Sequence, residues 1–266
     1  MKTMTIITDL CNLSYRSLLL TVISAIVLSC NSGVKSSEAK EELIDIQPIS
    51  HSSFVMNYED MTIYVDPVGG VESYADLKPA NIILVTDVHG DHLNIETLQG
   101  LMESNPKIIG PTAVLDRLPE DLREKASVLV NFQSINLTLN DTEITIEGIP
   151  MYNLREEAIK FHEKGRGNGY VLTLGDERIY ISGDTEDIPE MRALKDIDIA
   201  FVCMNLPWTM SVEKAAEAVL EFQPKRVIPY HYRGTNGLSD IQKFKSEVTS
   251  ENPKIDVRLL NWYPNR

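Results

Sequence analysis

The chain reads as a mixed α/β (α+β) protein in which two stacked β-sheets are flanked by helices. Three features point there. Short apolar or alternating runs crowd residues 44–182, the pattern of strands rather than of helices. From Ile188 onward helix-like and strand-like runs alternate, as expected where helices cover one face of a sheet. The chain has 266 residues, 43% hydrophobic and 24% charged, with no repeat or low-complexity tract, so it has the material for a sizeable core.

The elements follow in order. Residues 44–49, 53–58, 61–66 and 81–86 carry strand patterns. Asn94 is a suitable N-cap for a helix reaching Met102, and residues 113–125 are helix-like, with Pro111 and Pro119 as punctuation. Strands are then expected over 127–131, 135–139, 142–151, 169–174 and 178–182, the last two joined by a hairpin turn at Gly175 and Asp176. Helices over 188–194, 211–222 and 239–248 alternate with strands over 197–204, 226–230 and 255–260, and Ser211 caps the middle helix.

The N-terminus is of different material. Arg16 precedes an apolar run at 18–28 that is too short for a comfortable membrane span and reads as a secretion signal. Val27, Leu28, Ser29 and Cys30 resemble the bacterial lipoprotein box, which implies cleavage before Cys30, lipidation of its thiol and a protein anchored in the bacterial cell envelope, facing the periplasm or the surface. NSGVKSSEAKEE, which follows at once, reads as a solvated tether. The expected organisation is a signal at 1–29, a tether at 30–43 and one domain at 44–266. Of the cysteines, Cys11 would be removed and Cys30 lipidated, leaving Cys203 and no intramolecular disulfide. Loss of Lys2, Arg16 and Asp9 changes the net charge from −14 to −15, and so acidic a chain is a poor general binder of nucleic acid. The sequence carries no indication of oligomeric state.

ILVTDVHGDHLN, residues 83–94, places Asp87, His89, Asp91 and His92 within six positions after an apolar run. On an extended chain positions 87 and 89 face one side, and Gly90 lets the backbone turn to deliver Asp91 and His92 from a second direction. That spacing suits two metal ions. FHEKGRGNGY adds His162 in a glycine-rich loop, while YISGDTED and VIPYHYRG put Asp184 and His231 just past strand ends. Strand ends hold ligands rigidly. No nucleophile elbow, P-loop or dinucleotide fingerprint is present.

With these motifs the chain resembles the metallo-β-lactamase superfamily, whose pattern is H-x-H-x-D-H, a distant His, an Asp in G-D-T and a final His. The resemblance covers nearly all of residues 44–260. SHSSFVMNYEDMTIYVDP, IYISGDTEDIPEM and IPYHY look closest to the bacterial branch that includes ascorbate-6-phosphate lactonase-like proteins. It implies a four-layer αββα sandwich and two divalent ions, zinc, manganese or iron. Asp87, His89, His162 and Asp184 would hold one ion, and Asp91, His92, Asp184 and His231 the other, with Asp184 shared. His51 would line the cavity and Asp66 orient the metal loop, with Asn153 an alternative to His162, and Tyr230, Tyr232, Tyr152 and Trp208 candidate pocket walls. Asp87 departs from the pattern, which has His there. As a ligand it would favour oxygen-preferring ions; otherwise it would hydrogen-bond a neighbouring ligand.

Two ions sharing a water would lower its pKa toward neutrality and aim hydroxide at a carbonyl or phosphorus, with Asp91 as proton acceptor. The expected function is hydrolysis of a small ester, lactone, phosphodiester or amide. Arg155, Lys160, Lys164 and Arg166 could receive a phosphate or carboxylate, or belong to a solvated lid of mixed charge. The rival reading is a metal-holding lipoprotein that binds a ligand or partner without turnover.

Overall fold

The computed structural model describes residues 43–264. The expected signal, Cys30 and the tether up to residue 42 lie outside the described residues. β1 (Ile44–Ser50), β2 (Ser53–Tyr58), β3 (Met61–Val65), β4 (Ile82–Leu84), β5 (Lys107–Gly110) and β6 (Ala126–Val128) form a six-stranded sheet in that order. Its first three strands pair antiparallel and the remainder parallel. β7 (Ser134–Leu139), β8 (Thr142–Met151), β9 (Gly167–Leu174), β10 (Glu177–Ile181), β11 (Ile199–Cys203) and β12 (Arg226–Tyr230) belong to a second sheet. β13 (Arg233–Gly234) and β14 (Gly237–Leu238) make a small separate hairpin, and β15 (Asp256–Val257) completes the second sheet beside β12.

Strand alternation decides the layering, because successive side chains face opposite sides. Phe54, Met56, Ile63, Val65, Ile82 and Leu84 share one core with Ile144, Ile146, Leu172, Ile179 and Ile181 of the second sheet. Phe54 stacks on Phe201 across that interface at 4.3 Å. The alternate residues Val55, Tyr64 and Ile83 pack instead with Leu98 of α1 (Ile95–Gly100), Val114 and Leu115 of α2 (Thr112–Leu115) and Leu122 of α3 (Glu120–Arg123). On the second sheet Tyr180 points away from Ile179 and Ile181 and meets Phe222 edge-on at 6.0 Å, which seats α5 (Val212–Phe222) on the outer face. α4 (Pro189–Arg192) and α6 (Ile241–Glu251) contact α5. The result is the αββα order of layers. No helix among the described residues is long and apolar enough to cross a membrane.

The structure corrects several expected elements. Residues 113–125 are two single-turn helices rather than one, because Pro119 lacks an N–H and biases the residue before it away from the helical region. The expected strand 81–86 pairs only over Ile82–Leu84: the Thr86 N–H leaves the ladder and donates to Asp66 Oδ1 at 2.7 Å. The strand expected at 255–260 shrinks to Asp256–Val257. β5 has no counterpart in the sequence reading, its four residues being too short to show a period. Helix caps follow the expected residues: the Asn94 side chain accepts from the Thr97 N–H, and that of Ser211 from the Lys214 N–H.

Candidate metal centre

Strands of both sheets end at one place. Asp66 follows β3, the loop from Thr86 to His92 follows β4, Asp184 follows β10 and His231 follows β12, while His162 comes from the loop between β8 and β9. Asp66 (φ 44°) and His231 (φ 45°) adopt the left-handed region, where side chains other than glycine are strained. Asp66 is held there by the Thr86 N–H and hydroxyl, which donate to its two carboxylate oxygens.

Two groups of side chains converge there. Asp87, His89 and His162 each offer a ligand atom within 4.8 Å of the others, and so do Asp91, His92 and His231. Asp184 stands between the groups. Its Oδ2 lies 3.4 Å from His162 Nε2 and 3.5 Å from His92 Nε2, and its Oδ1 lies 3.4 Å from His231 Nε2. Asp91 Oδ2 is 3.3 Å from the same His231 nitrogen. Buried atoms Nε2 of His92, His162 and His231 and Oδ1 of Asp184 make no hydrogen bond within the protein. Buried polar atoms are rarely left so, and four of them aimed at one another fit divalent ions between them.

The far side of each imidazole is tied. His92 Nδ1 lies 2.7 Å from Asp66 Oδ2, and Asp66 is itself held by the Thr86 N–H and hydroxyl. This fixes the His92 ring so that Nε2 faces the centre. His162 Nδ1 lies 3.2 Å from the Trp208 carbonyl, and Asn153 Nδ2 donates to the same carbonyl at 2.6 Å. Asn153 thus stands behind His162, whose Nε2 reaches the cluster. His51 stacks on His231 at 5.8 Å and accepts a bond from its backbone N–H. Tyr230 is fully buried among Phe54, Phe201 and Trp262, so it is a core residue next to the centre rather than a pocket wall.

Asp87 has an unforeseen neighbour. Arg166 Nε donates to its Oδ1 at 3.1 Å and Nη2 to its Oδ2 at 2.8 Å. His89 Nδ1 approaches Oδ2 at 2.7 Å. Burial alone would raise the Asp87 carboxyl, but the bonds from His89 and Arg166 and the nearby imidazole charges draw it down to about 2. Against a burial that opposes charge, His231 and His92 hold Asp184 well below the usual carboxylate range. Burial would likewise depress His92, yet the Asp66 and Asp184 carboxylates hold it well above its ordinary value.

A cavity of about 310 Å³ opens onto the cluster, lined by His89, Asp91, Phe161, His162, Asp184, Asn205 and Trp208. Three of the four basic side chains expected to receive an anion are committed elsewhere: Arg155 to Glu186, Lys164 to Glu190 and Arg166 to Asp87. The ammonium of Lys160 lies 5.1 Å from the Phe161 ring centre. Thr86, Glu186, Asn205 and Phe161 escaped the sequence reading. Thr86, Phe161 and Glu186 lie inside the motifs ILVTDVHGDHLN, FHEKGRGNGY and YISGDTED, whereas Asn205 belongs to none.

Comparison with known proteins agrees with this geometry. Residues 45–231 match the model of the beta-lactamase superfamily domain. A UPF0173 metal-dependent hydrolase of Pyrococcus horikoshii is 26% identical over 228 residues, covering 82% of this chain and 96% of that protein. A crystal structure from Parabacteroides distasonis, described as a candidate metal-dependent hydrolase, is 39% identical with a TM-score of 0.71, covering 81% of this chain and 92% of that one. A metallo hydrolase of Ignicoccus hospitalis shares the fold, with a TM-score of 0.66 at 21% identity over 82% of this chain and 95% of that one.

Proposed function

Since the chain belongs to the metallo-β-lactamase superfamily of metal-dependent hydrolases, we propose that it hydrolyses a small uncharged ester, lactone or amide at a two-ion centre. The observation that carries the reading is the set of unpartnered buried atoms on both sides of Asp184, at the floor of a cavity. Asp87, His89 and His162 hold one ion, Asp91, His92 and His231 the other, and Asp184 serves both. Divalent ions held there, zinc, manganese or iron, supply an activated water and polarise the attacked carbonyl.

The chain's own residues do the rest. Asp91, with a side chain 41% exposed against 5% for Asp184 and none for Asp87, is the carboxylate most open to substrate and water. Burial opposes its charge, but the nearby His231 and His92 imidazoles hold it well below the usual carboxylate range, so it stays ionised and can accept a hydrogen bond from a water or substrate group. Phe161 and Trp208 offer apolar walls, and Asn205 an amide, to the substrate. The commitment of Arg155, Lys164 and Arg166 to carboxylates of the chain argues for an uncharged substrate over a phosphodiester or a phosphorylated lactone.

The test is metal analysis of residues 43–266, followed by a screen with each bound ion against aryl esters, lactones, amides and an aryl phosphodiester. Turnover of the neutral carbonyl compounds, lost in Asp184→Ala, is expected. A protein that holds metal and turns over none of them would be the ligand-binding lipoprotein instead.

A further inference from the structure

The donor sets on the two sides of Asp184 match in kind. Each has one carboxylate of its own and two imidazoles, Asp87 with His89 and His162, and Asp91 with His92 and His231. Sets so alike would hold two ions about equally if their surroundings were alike. They are not. Arg166 grips both oxygens of Asp87, and its Nη2 also donates to the Phe161 carbonyl at 2.5 Å, so the guanidinium is held in place from two directions. The Asp87 side chain is wholly buried, which leaves little water to screen that charge. On the other side, the charged partners of Asp91 among the described residues are His92 and His231.

We propose that Arg166 makes the two metal positions unequal: it is a built-in counter-charge that weakens the position at Asp87, so the position at Asp91 fills first and a one-ion form persists when metal is limiting. This rests on the two-ion reading above. Two effects act in the same direction. A guanidinium is permanently charged and repels a cation drawn to the carboxylate it already pairs. The fork also takes one lone pair from each Asp87 oxygen, and His89 approaches a third, leaving Asp87 a poorer donor than Asp91. The ion at Asp87 then comes and goes with metal supply while the ion at Asp91 stays.

Metal-free wild type, Arg166→Gln, Arg166→Lys and Asp87→Asn are titrated with zinc against a chromophoric chelator, bound ions are counted by elemental analysis, and folding is checked by circular dichroism. Wild type should show two steps whose dissociation constants differ by about tenfold or more. Arg166→Gln should tighten the weaker step and close the gap. Arg166→Lys, which keeps the charge, should preserve it, and Asp87→Asn should abolish the weaker step alone. A wild type that holds one ion where Arg166→Gln holds two supports the proposal equally.

Equal steps in wild type, or a weaker step that Arg166→Gln leaves unchanged or weakens, would overturn it. Should Arg166→Gln not fold, Arg166→Ala takes its place with the same expected and overturning outcomes, and loss of the tighter step in Asp87→Asn contradicts the proposal in either case. Failure of the two-ion reading looks different: wild type would then take up no zinc, or Asp184→Ala would take up as much as wild type.

Discussion

A histidine can serve a metal only if one ring nitrogen is free to face it, and the other nitrogen decides that. At His92 the arrangement is complete, with Asp66 on Nδ1, Thr86 on Asp66 and an unpartnered Nε2 aimed at the cluster. Asp66→Asn should therefore weaken metal binding by roughly 10–100-fold while the fold is retained, as measured by competition with a chelator. An unchanged affinity would mean that Asp66 serves only the backbone of the loop. The charge of His92 makes a second prediction. Its two carboxylate neighbours hold it well above its ordinary value, so in the metal-free protein at pH 7 the imidazole carries a proton that an incoming ion must displace. Zinc uptake at pH 7 should release a proton, and affinity should rise with pH until His92 is neutral without metal. Calorimetry in two buffers of different ionisation heat reads this directly, and uptake without proton release would contradict it.

Single elements bring these residues together, and here the sequence was only partly legible. Asp87, His89, Asp91 and His92 could be read because they lie in one loop after one strand, and Asp184 and His231 because each follows an apolar run. The role of Arg166 could not, since it meets Asp87 across 79 positions and basic residues look alike in a sequence until their partners are known. Residues 113–125 misled for a different reason: their apolar spacing is helical, but Pro119 divides them. Glu186 was equally hidden. It accepts from the backbone N–H groups of Leu154 and Arg155 and pairs with the Arg155 guanidinium at 2.7 Å, while Arg155 Nη2 donates to the Pro207 and Thr209 carbonyls. This strap joins the loop that carries Phe161 and His162 to the one that carries Trp208. Arg155→Ala should cost roughly 1–3 kcal/mol of stability and raise KM for any substrate found, because two cavity walls lose their common anchor. A variant with normal KM would show that the loops hold their places without it.

The two sheets were legible as strand-like runs over residues 44–182 and as alternating helix and strand after Ile188, and Phe54→Ala at the centre of their shared core should cost about 3–5 kcal/mol in denaturant unfolding. We propose further that the full chain carries lipid on Cys30, so that it fractionates with membranes and Cys30→Ala releases it; recovery of residues 1–29 in the native protein would refute this. The last prediction concerns removal of the metal. Chelation leaves Asp87, Asp91 and Asp184 facing one another with unpartnered imidazole nitrogens, and loses whatever ion binding contributed, about 2.7 kcal/mol at a metal concentration 100 times the dissociation constant. In a domain of this size that lowers the melting temperature by roughly 5–10 °C. The loss should depend on pH with a definite sign. His92, whose folded pKa is raised, stabilises the metal-free fold fully below its unfolded value near ~6.5, and that contribution fades as pH rises through the raised value. Asp87 and Asp184, with lowered values, contribute above ~4 and lose their contribution only as pH falls through those values. The metal-free protein should thus be most stable between about pH 4 and 6.5, whereas the loaded protein, its His92 proton displaced, does not share the decline above that window. The gap between their melting temperatures should widen from pH 5.5 to pH 8 in thermal scans with and without a chelator. A gap that stays constant or narrows would mean that His92 is not charged in the metal-free protein.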